Sequence, residues 1–438
     1  MKPNMDNRQD SIIQGICDAL EEMKHFVKRS AVNYKCHIIS PEKLQELYLV
    51  SQKIKGVLEI LNLSNDTFGI VHAKIEELNF HYDLYRVSVL FDEELLPLLD
   101  SCIRELSEKY LPQNENKKRN IRVKYVDFYS KFKPEEHWTY KLLEKKYNVV
   151  FSESPDYLFF SCFGNTYLQY NCIRIFISNE AVYPNLNLYD YAVTYADFKI
   201  TDRMLPNRDA FEGLRCRRLA KDWQTAEEIL NSKEEFCNFV YYNGYGDPFR
   251  EQLFYFVSRY KKVLSGGKFL NNIGHVVEDL QGFQSRFKFT IACENSWYRG
   301  YTTEKIINAF NAGTIPIYWG NPDISSIINP QAIINCHEYP NLESVVEEIR
   351  RLDEDDEAYK KKLMEPILLQ ENMVEEYLQE RENFIYHIIE QPYMSAYRRS
   401  LCLRGQYYND WLCNLLGYDN EWFTPEKGYF VKKVTQGE

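Results

Sequence analysis

The chain has 438 residues, 45% of them hydrophobic and 27% charged, an ordinary globular composition that excludes a disordered chain. That length is enough for two or three domains, each with its own core. A formal net charge of −11 excludes a general nucleic-acid binder, because phosphate affinity needs a cationic face; a local basic cluster can still grip one small anion.

Up to about residue 111 the pattern is helical. Ile12, Ile13, Ile16, Ala19, Leu20, Met23 and Val27 recur at three- and four-residue spacing. Ser40-Pro41-Glu42 is a helix start, and the stripe Leu44, Leu47, Ile54, Leu58 and Leu61 follows it. A further helix carries Leu95, Leu99, Cys102, Ile103 and Leu106. These narrow stripes predict a small helical region over 1–118. Two roles fit it: an oligomerisation module that makes the protein a homo-oligomer, or an appendage that stabilises the main body.

The polar stretch Pro112 to Asn120 (PQNENKKRN) breaks this pattern and marks a domain boundary. Beyond it strands alternate with helices. Ile121 to Phe128, Asn148 to Ser152, Asp156 to Cys162 and Ile173 to Ser178 read as strands, with a helix containing Lys141 to Lys146 between the first two. That alternation predicts a doubly wound α/β domain over 119–222. A second α/β half, 223–365, begins near Phe236 with FCNFVYY. Asn341 to Leu352 is an amphipathic helix, and the acidic run Asp353 to Glu357, which contains a DxD pattern, reads as a solvated face rather than a metal site. Residues 366–438 predict an aromatic-rich helical tail.

The most informative stretch is Phe287 to Pro322. Phe287 to Ala292 reads as a buried strand, Thr302 or Thr303 N-caps a helix ending near Asn311, Gly313 fits its C′ position, and Thr314 to Trp319 returns as a strand. In such a unit the helix N-terminus faces the carboxyl edge of a parallel sheet, where it favours an anion such as a phosphate. Lys305 lies in the first turn, where the dipole disfavours a cation by roughly 0.3–1 kcal/mol. A bound diphosphate reverses the sign of that cost; a solvated surface lysine is the other reading. Glu304 and Asn308 share a face one turn apart and offer a carboxylate and an amide to sugar hydroxyls.

Two more segments follow the same logic. Asp247-Pro248 starts a helix that places Arg250 at its third position, either for two phosphate oxygens or for a salt bridge to Asp247 or Glu251. Glu180 follows the strand Ile173 to Ser178, at the carboxyl edge if the sheet is parallel. It can be a general base for a nucleophilic hydroxyl or an ordinary loop glutamate.

The other cues are mostly exclusions. Eleven cysteines from Cys17 to Cys413 form no CxxC pair, and eight histidines form no HxH or HExxH. Reduced thiols and no protein-bound metal are therefore expected. The polar start MKPNMDNRQD and the lack of any run near the ~20 apolar residues of a membrane span lead us to expect a soluble, cytoplasmic protein. With 34 tyrosines and 26 phenylalanines, rings are available as sugar platforms, although most must be core.

Lys288-Phe289, Glu294-Asn295, Tyr301, Thr303-Glu304-Lys305 and Ile315 to Gly320 (IPIYWG) together resemble the α1,3/4-fucosyltransferases of glycosyltransferase family 10, bacterial members especially. Ser178 to Phe198 is similar to the family's GEN-x-x-PNFNL-x-DYAIGFD segment. VDFY near Val126 and SPDYLFFSCFG near Asp156 are similar to the opening strands of bacterial members. The resemblance covers about 121 to 360; Cys293 stands where many members have Phe.

The resemblance implies two Rossmann-like α/β domains facing a cleft, the GT-B type, with an extra N-terminal helical region. It implies inverting transfer of L-fucose from GDP-fucose to a GlcNAc hydroxyl of a LacNAc-type glycan, in α1,3 or α1,4 linkage. Such chemistry belongs to Lewis antigen synthesis and lipopolysaccharide glycosylation in bacteria. By motif, Glu180 is the general base, and Glu304 contacts fucose and favours its cationic transition state. Arg250 and Lys305 hold the diphosphate, while Asn295 and Tyr301 line the donor pocket. The resemblance implies that no metal or other cofactor is required beyond GDP-fucose as donor substrate. It also implies an oligosaccharide or glycolipid acceptor and a cytoplasmic location, either free or in peripheral contact with the inner membrane. A GT-B enzyme using another nucleotide sugar, and a catalytically silent glycan-binding protein, are the alternatives.

Overall fold

The computed structural model describes residues 7–35, 41–60, 66–78, 90–110, 118–196, 202–399, 423–424 and 429–430. Ser40, Leu61, most of the Pro112 to Asn120 boundary and most of the tail beyond residue 399 lie outside the described residues. The chain divides into two compact units. One comprises Met1–Ile177, Asn185–Ala192 and Phe384–Glu438, and the other Ser178–Pro184 and Val193–Asn383.

In the first unit, helices α1 (Asn7–Lys35), α2 (Pro41–Ile60), α3 (Asp66–Leu78) and α4 (Leu96–Tyr110) precede the sheet. Ile13, Ile16, Leu20, Met23 and Val27 of α1 are buried, as are Leu99, Cys102 and Leu106 of α4, and the two helices pack together. The apolar stripes thus meet one another inside the bundle.

Five of the sheet's six strands, β1 (Arg119–Val126), β2 (Tyr147–Phe151), β3 (Tyr157–Phe160), β4 (Ile173–Ile177) and β5 (Tyr191–Thr194), run in the order β2-β1-β3-β4-β5. β1 is parallel to β2 and β3, and β3 to β4, with Tyr157 opposite Val123 and Ile173. Helix α5 (Trp138–Lys146) makes the first crossover. Every residue of β3 and β4 is buried, as expected of central parallel strands covered on both faces.

Helix α1 is tied to this sheet by charge. His25 Nδ1 lies 2.8 Å and Lys28 Nζ 3.0 Å from Oδ2 of Asp156, the residue before β3. Burial alone would raise the Asp156 carboxyl, but the Lys28 charge and the His25 hydrogen bond outweigh it and hold it at about 2.

The second unit contains β6 (Met204–Pro206), α6 (Trp223–Asn231), β7 (Glu235–Phe239), α7 (Pro248–Tyr260), β8 (Val263–Ser265), α8 (Leu280–Ser285) and β9 (Phe287–Cys293). It continues with α9 (Glu304–Asn311), β10 (Ile315–Trp319), β11 (Ile334–Asn335), α10 (Leu342–Glu354) and α11 (Asp356–Met364). Its sheet runs β11-β10-β9-β7-β8 with all four pairings parallel. Alternation along β9 supplies both cores: Phe289, Ile291 and Cys293 join Leu253, Val257 and Ile349, whereas Ala292 joins Ile306, Phe310 and Tyr318.

Helix α12 (Met373–Glu390) runs from the second unit into the first and is followed by α13 (Tyr393–Ala396). Within the tail read as helical, Phe423–Thr424 pairs antiparallel with Tyr429–Phe430.

One reading is corrected. The acidic run is not a solvated face throughout. Asp353, with its side chain 6% exposed, pairs with Lys261 and Lys288 and accepts from Tyr260 Oη, and Asp355 N-caps α11. Charge pairing and capping account for both carboxylates of the DxD pattern.

Candidate active site

Helix α9 begins as its sequence dictates. Thr303 is the N-cap, yet its hydroxyl makes no capping bond. Thr303 N and Oγ1 instead donate to the Glu294 carboxylate at 2.7 and 2.6 Å. Glu294 ends the strand–loop junction after β9 and is wholly buried. Gly320, at φ 150°, passes so close that a Cβ there would collide with the Glu294 side chain.

Lys305 is neither solvated nor waiting alone for an anion. Its Nζ lies 3.5 Å from Glu294 Oε2 and 3.2 Å from Glu304 Oε1, and it donates to Thr303 Oγ1 at 3.0 Å. Burial would lower the Lys305 ammonium, but the Glu294 and Glu304 charges win and raise it. Burial raises the Glu294 carboxyl, and Lys305 offsets only part of that shift. Glu304 moves the other way: burial would raise it, and Lys305 draws it below its ordinary value.

Arg250 reaches the same place from α7. Asp247 caps that helix by accepting from Phe249 N, with Pro248 in the first turn. Neither salt bridge considered for Arg250 forms: among the described residues no carboxylate pairs with it. Its guanidinium, 2% exposed, stacks 4.4 Å from the Tyr241 ring and donates to Asn243 O at 2.7 Å and to Asn295 Oδ1 at 3.1 Å. A buried cation without a counter-ion is costly unless an anion joins it. The Ser265 to Lys268 segment has a backbone role, because Gly267 lies against the Tyr241 main chain where a Cβ cannot fit.

These groups border one cavity of about 390 Å³. It gathers Arg250, Asn295, Glu304 and Lys305 with Asn308, all singled out in the sequence, together with Tyr241, Tyr242 and Gln284. The tyrosines lie just past β7, in FCNFVYY, at the carboxyl edge where a parallel sheet binds ligands. Gln284 carried no sequence signal.

Tyr301 and Glu180 lie outside that lining. Tyr301 is 2% exposed and stands edge-on to Tyr195, with ring centroids 5.0 Å apart, in a cluster with Tyr298 against which Ala181 packs. It therefore braces the segment carrying Glu180. That segment, Ser178–Pro184, groups with the second unit, the unit that contains Lys305. Glu180 is exposed, its backbone N–H held by Ser178 Oγ at 3.0 Å. Removal from bulk water raises its carboxyl above the ordinary value, with Lys305 pulling the other way.

Residues 123–208 match the Alpha-(1,3)-fucosyltransferase FucT N-terminal domain, and residues 230–364 match the Glycosyltransferase family 10 (fucosyltransferase) C-term model. The chain carries glycosyltransferase family 10 fucosyltransferase domains. Its relatives include the Alpha-(1,3)-fucosyltransferase FucT of Helicobacter pylori, 28% identical over 50% of this chain and 54% of that protein. A putative fucosyltransferase of Acanthamoeba polyphaga mimivirus is 35% identical over 32% of this chain and 25% of its own length. This chain thus spans about half the length, or less, of these curated relatives.

An alpha1,3-fucosyltransferase crystal structure superposes with a TM-score of 0.53 and 22% identity, covering 63% of this chain and 92% of the other. A crystal structure of alpha1,3-fucosyltransferase with GDP-fucose gives 0.51, with 22% identity and coverage of 63% and 93%. The family 10 domains have the GT-B type of fold, α/β with two parallel sheets and flanking helices. Among the described residues no helix is long and apolar enough to cross a membrane, and no group of three or more His, Cys, Asp or Glu could hold a metal ion.

Proposed function

We propose that the protein transfers L-fucose from GDP-fucose to a GlcNAc hydroxyl of a LacNAc-type glycan, with inversion and in α1,3 or α1,4 linkage. The observation that carries this is the pairing of buried, carboxylate-free Arg250 with Lys305 around one cavity, inside the stretch that matches the family's C-terminal model. Arg250 supplies a planar fork to two diphosphate oxygens, and Lys305 a point charge. Both stabilise the charge that grows on GDP as the glycosidic bond breaks. Glu304, drawn to its ionised form by Lys305, faces the positive charge that develops on the sugar. Asn295 fixes the Arg250 guanidinium while lining the donor pocket, and Tyr301 holds the neighbouring wall in place.

Glu180 takes the proton of the acceptor hydroxyl in a single displacement. Its raised carboxyl is the better base for working near neutral pH. The acceptor is an oligosaccharide or glycolipid. A homo-oligomer formed through the N-terminal helices would use their exposed apolar residues, Leu49, Val57, Ile60 and Ile70.

The test is GDP release from GDP-fucose compared with other nucleotide sugars, over a panel of type 1 and type 2 acceptors, with NMR of the product linkage. Fucose transfer dependent on a GlcNAc hydroxyl is expected. Turnover of a different nucleotide sugar in preference, or of none, sinks the reading.

A further inference from the structure

We propose that Gln284 reads the base of the bound nucleotide, its side-chain oxygen accepting from the adjacent ring N–H and amino group of a guanine. This rests on the donor reading above and adds the residue that selects the base.

Gln284 is 5% exposed and lines the cavity, and no donor among the described residues reaches its Oε1. A buried amide oxygen left without a partner costs about 1–3 kcal/mol. Its orientation is not arbitrary. Thr290 Oγ1 and Thr314 Oγ1 are bonded at 2.8 Å. Asn238 Nδ2 donates to Thr290 Oγ1 at 2.8 Å and to Phe289 O at 3.1 Å, so Asn238 Oδ1 turns toward Gln284. Gln284 Nε2 donates to that oxygen at 3.4 Å. Flipping the Gln284 amide would set two oxygens against each other. The relay therefore leaves Oε1 as the free acceptor.

Position within the cavity points to the base. Arg250, Asn295 and Lys305 occupy the end beyond β9, where the diphosphate belongs. Gln284 bonds Asn238, whose own partner Thr290 lies three residues back from the end of β9, about 10 Å at strand rise. A ribose and base span that gap. Leu280, on the same helix as Gln284, and Tyr242 and Ile291 add uncharged lining to the cavity, which suits a flat ring. An acceptor-only atom matches guanine, whose ring N–H and amino group are adjacent donors. Adenine presents a ring acceptor beside its amine, and uracil a single N–H between two carbonyls. A site built for a hydrogen bond rejects the analogue that lacks it, because its own buried group is then unpaired.

The test titrates the full chain with GDP, IDP (which lacks the amino group), ADP and inorganic pyrophosphate, for wild type, Gln284→Leu and Gln284→Glu. In wild type GDP is expected to bind at least ~10-fold tighter than IDP or ADP, one hydrogen bond's worth or more. Gln284→Leu should bring the GDP to IDP ratio near one while pyrophosphate affinity stays within about twofold. Gln284→Glu keeps both the acceptor and the relay only as the neutral acid, whose O–H donates to Asn238 Oδ1 in place of the amide, so it should keep the preference at acidic pH and lose it once ionised. A wild-type ratio near one, or Gln284→Leu retaining the wild-type ratio, overturns the assignment and leaves the donor reading intact. If Gln284→Leu does not fold, the wild-type ratio and Gln284→Glu decide. A wild type that binds ADP but not GDP overturns this assignment and the donor reading together.

Discussion

Glu294 and Lys305 form an ion pair of 3.5 Å in which the carboxylate is wholly buried and the ammonium borders the cavity. The pair links the end of β9 to the first turn of α9 and overrides the usual dislike of a helix N-terminus for a cation. Glu294→Gln keeps the shape but turns an amide N–H₂ toward one of the two Thr303 donors. The expected loss is on the order of 1–3 kcal/mol, as for a buried donor left without its acceptor. Urea denaturation with unchanged slope measures it. A midpoint equal to wild type would remove Glu294 from the framework of the site.

Arg250 is held by Tyr241, Asn243 and Asn295 rather than by a carboxylate. Arg250→Lys keeps the charge but loses the planar fork and the stacking. We expect GDP affinity to fall about 10- to 100-fold, equivalent to roughly 1.4–2.8 kcal/mol. Calorimetric titration checks it, and a Kd within twofold of wild type contradicts a phosphate contact at this residue.

Much of the fold was legible because burial and periodicity coincide. Phe287 to Ala292, the Thr303 cap, and Gly313 at φ 67° fall where the pattern placed them, within a residue. Strands β8 and β11, at three and two residues, are too short to carry a period and went unread. Arg250, Asn295, Glu304 and Lys305 could be singled out because helix starts and a family motif mark them. The central place of Glu294 could not be ranked, since its partners are set by the fold of the loop between β9 and α9. The DxD run misled for a related reason. A charged stretch looks solvated until Lys261 and Lys288 are seen to converge on Asp353.

Glu180→Gln removes the proposed base while leaving the cavity lining untouched. We expect kcat to fall by about 10²–10⁴, with GDP affinity within about twofold of wild type. In wild type the ionised carboxylate is the active form, so kcat falls as pH drops through its pKa. Because the protein around this exposed carboxyl displaces part of its water and raises that pKa, the acid limb should lie above that of an ordinary glutamate. A mutant near full activity, or an acid limb in the usual carboxylate range, contradicts the assignment.

Asp156 gives the first unit an acid-sensitive joint between α1 and β3. Its folded carboxyl, held at about 2 against an ordinary value of 3.8, favours the folded state above the ordinary value and loses that contribution as pH falls through about 2. The gap corresponds to on the order of 2 kcal/mol. His25 acts in the same direction: burial lowers its ring, so the folded state disfavours the imidazolium, and the contribution present above 6.5 erodes as pH falls. Lys28 supplies the positive charge that Asp156 answers, Arg122 adds to the field that lowers His25, and Tyr393 Oη donates to the Asp156 backbone carbonyl. Asp156→Asn should therefore lower the denaturation midpoint at pH 7, with the difference from wild type shrinking as pH drops below about 4. Thermal melts across that range measure it. A difference independent of pH would mean that shape, rather than charge, makes the joint.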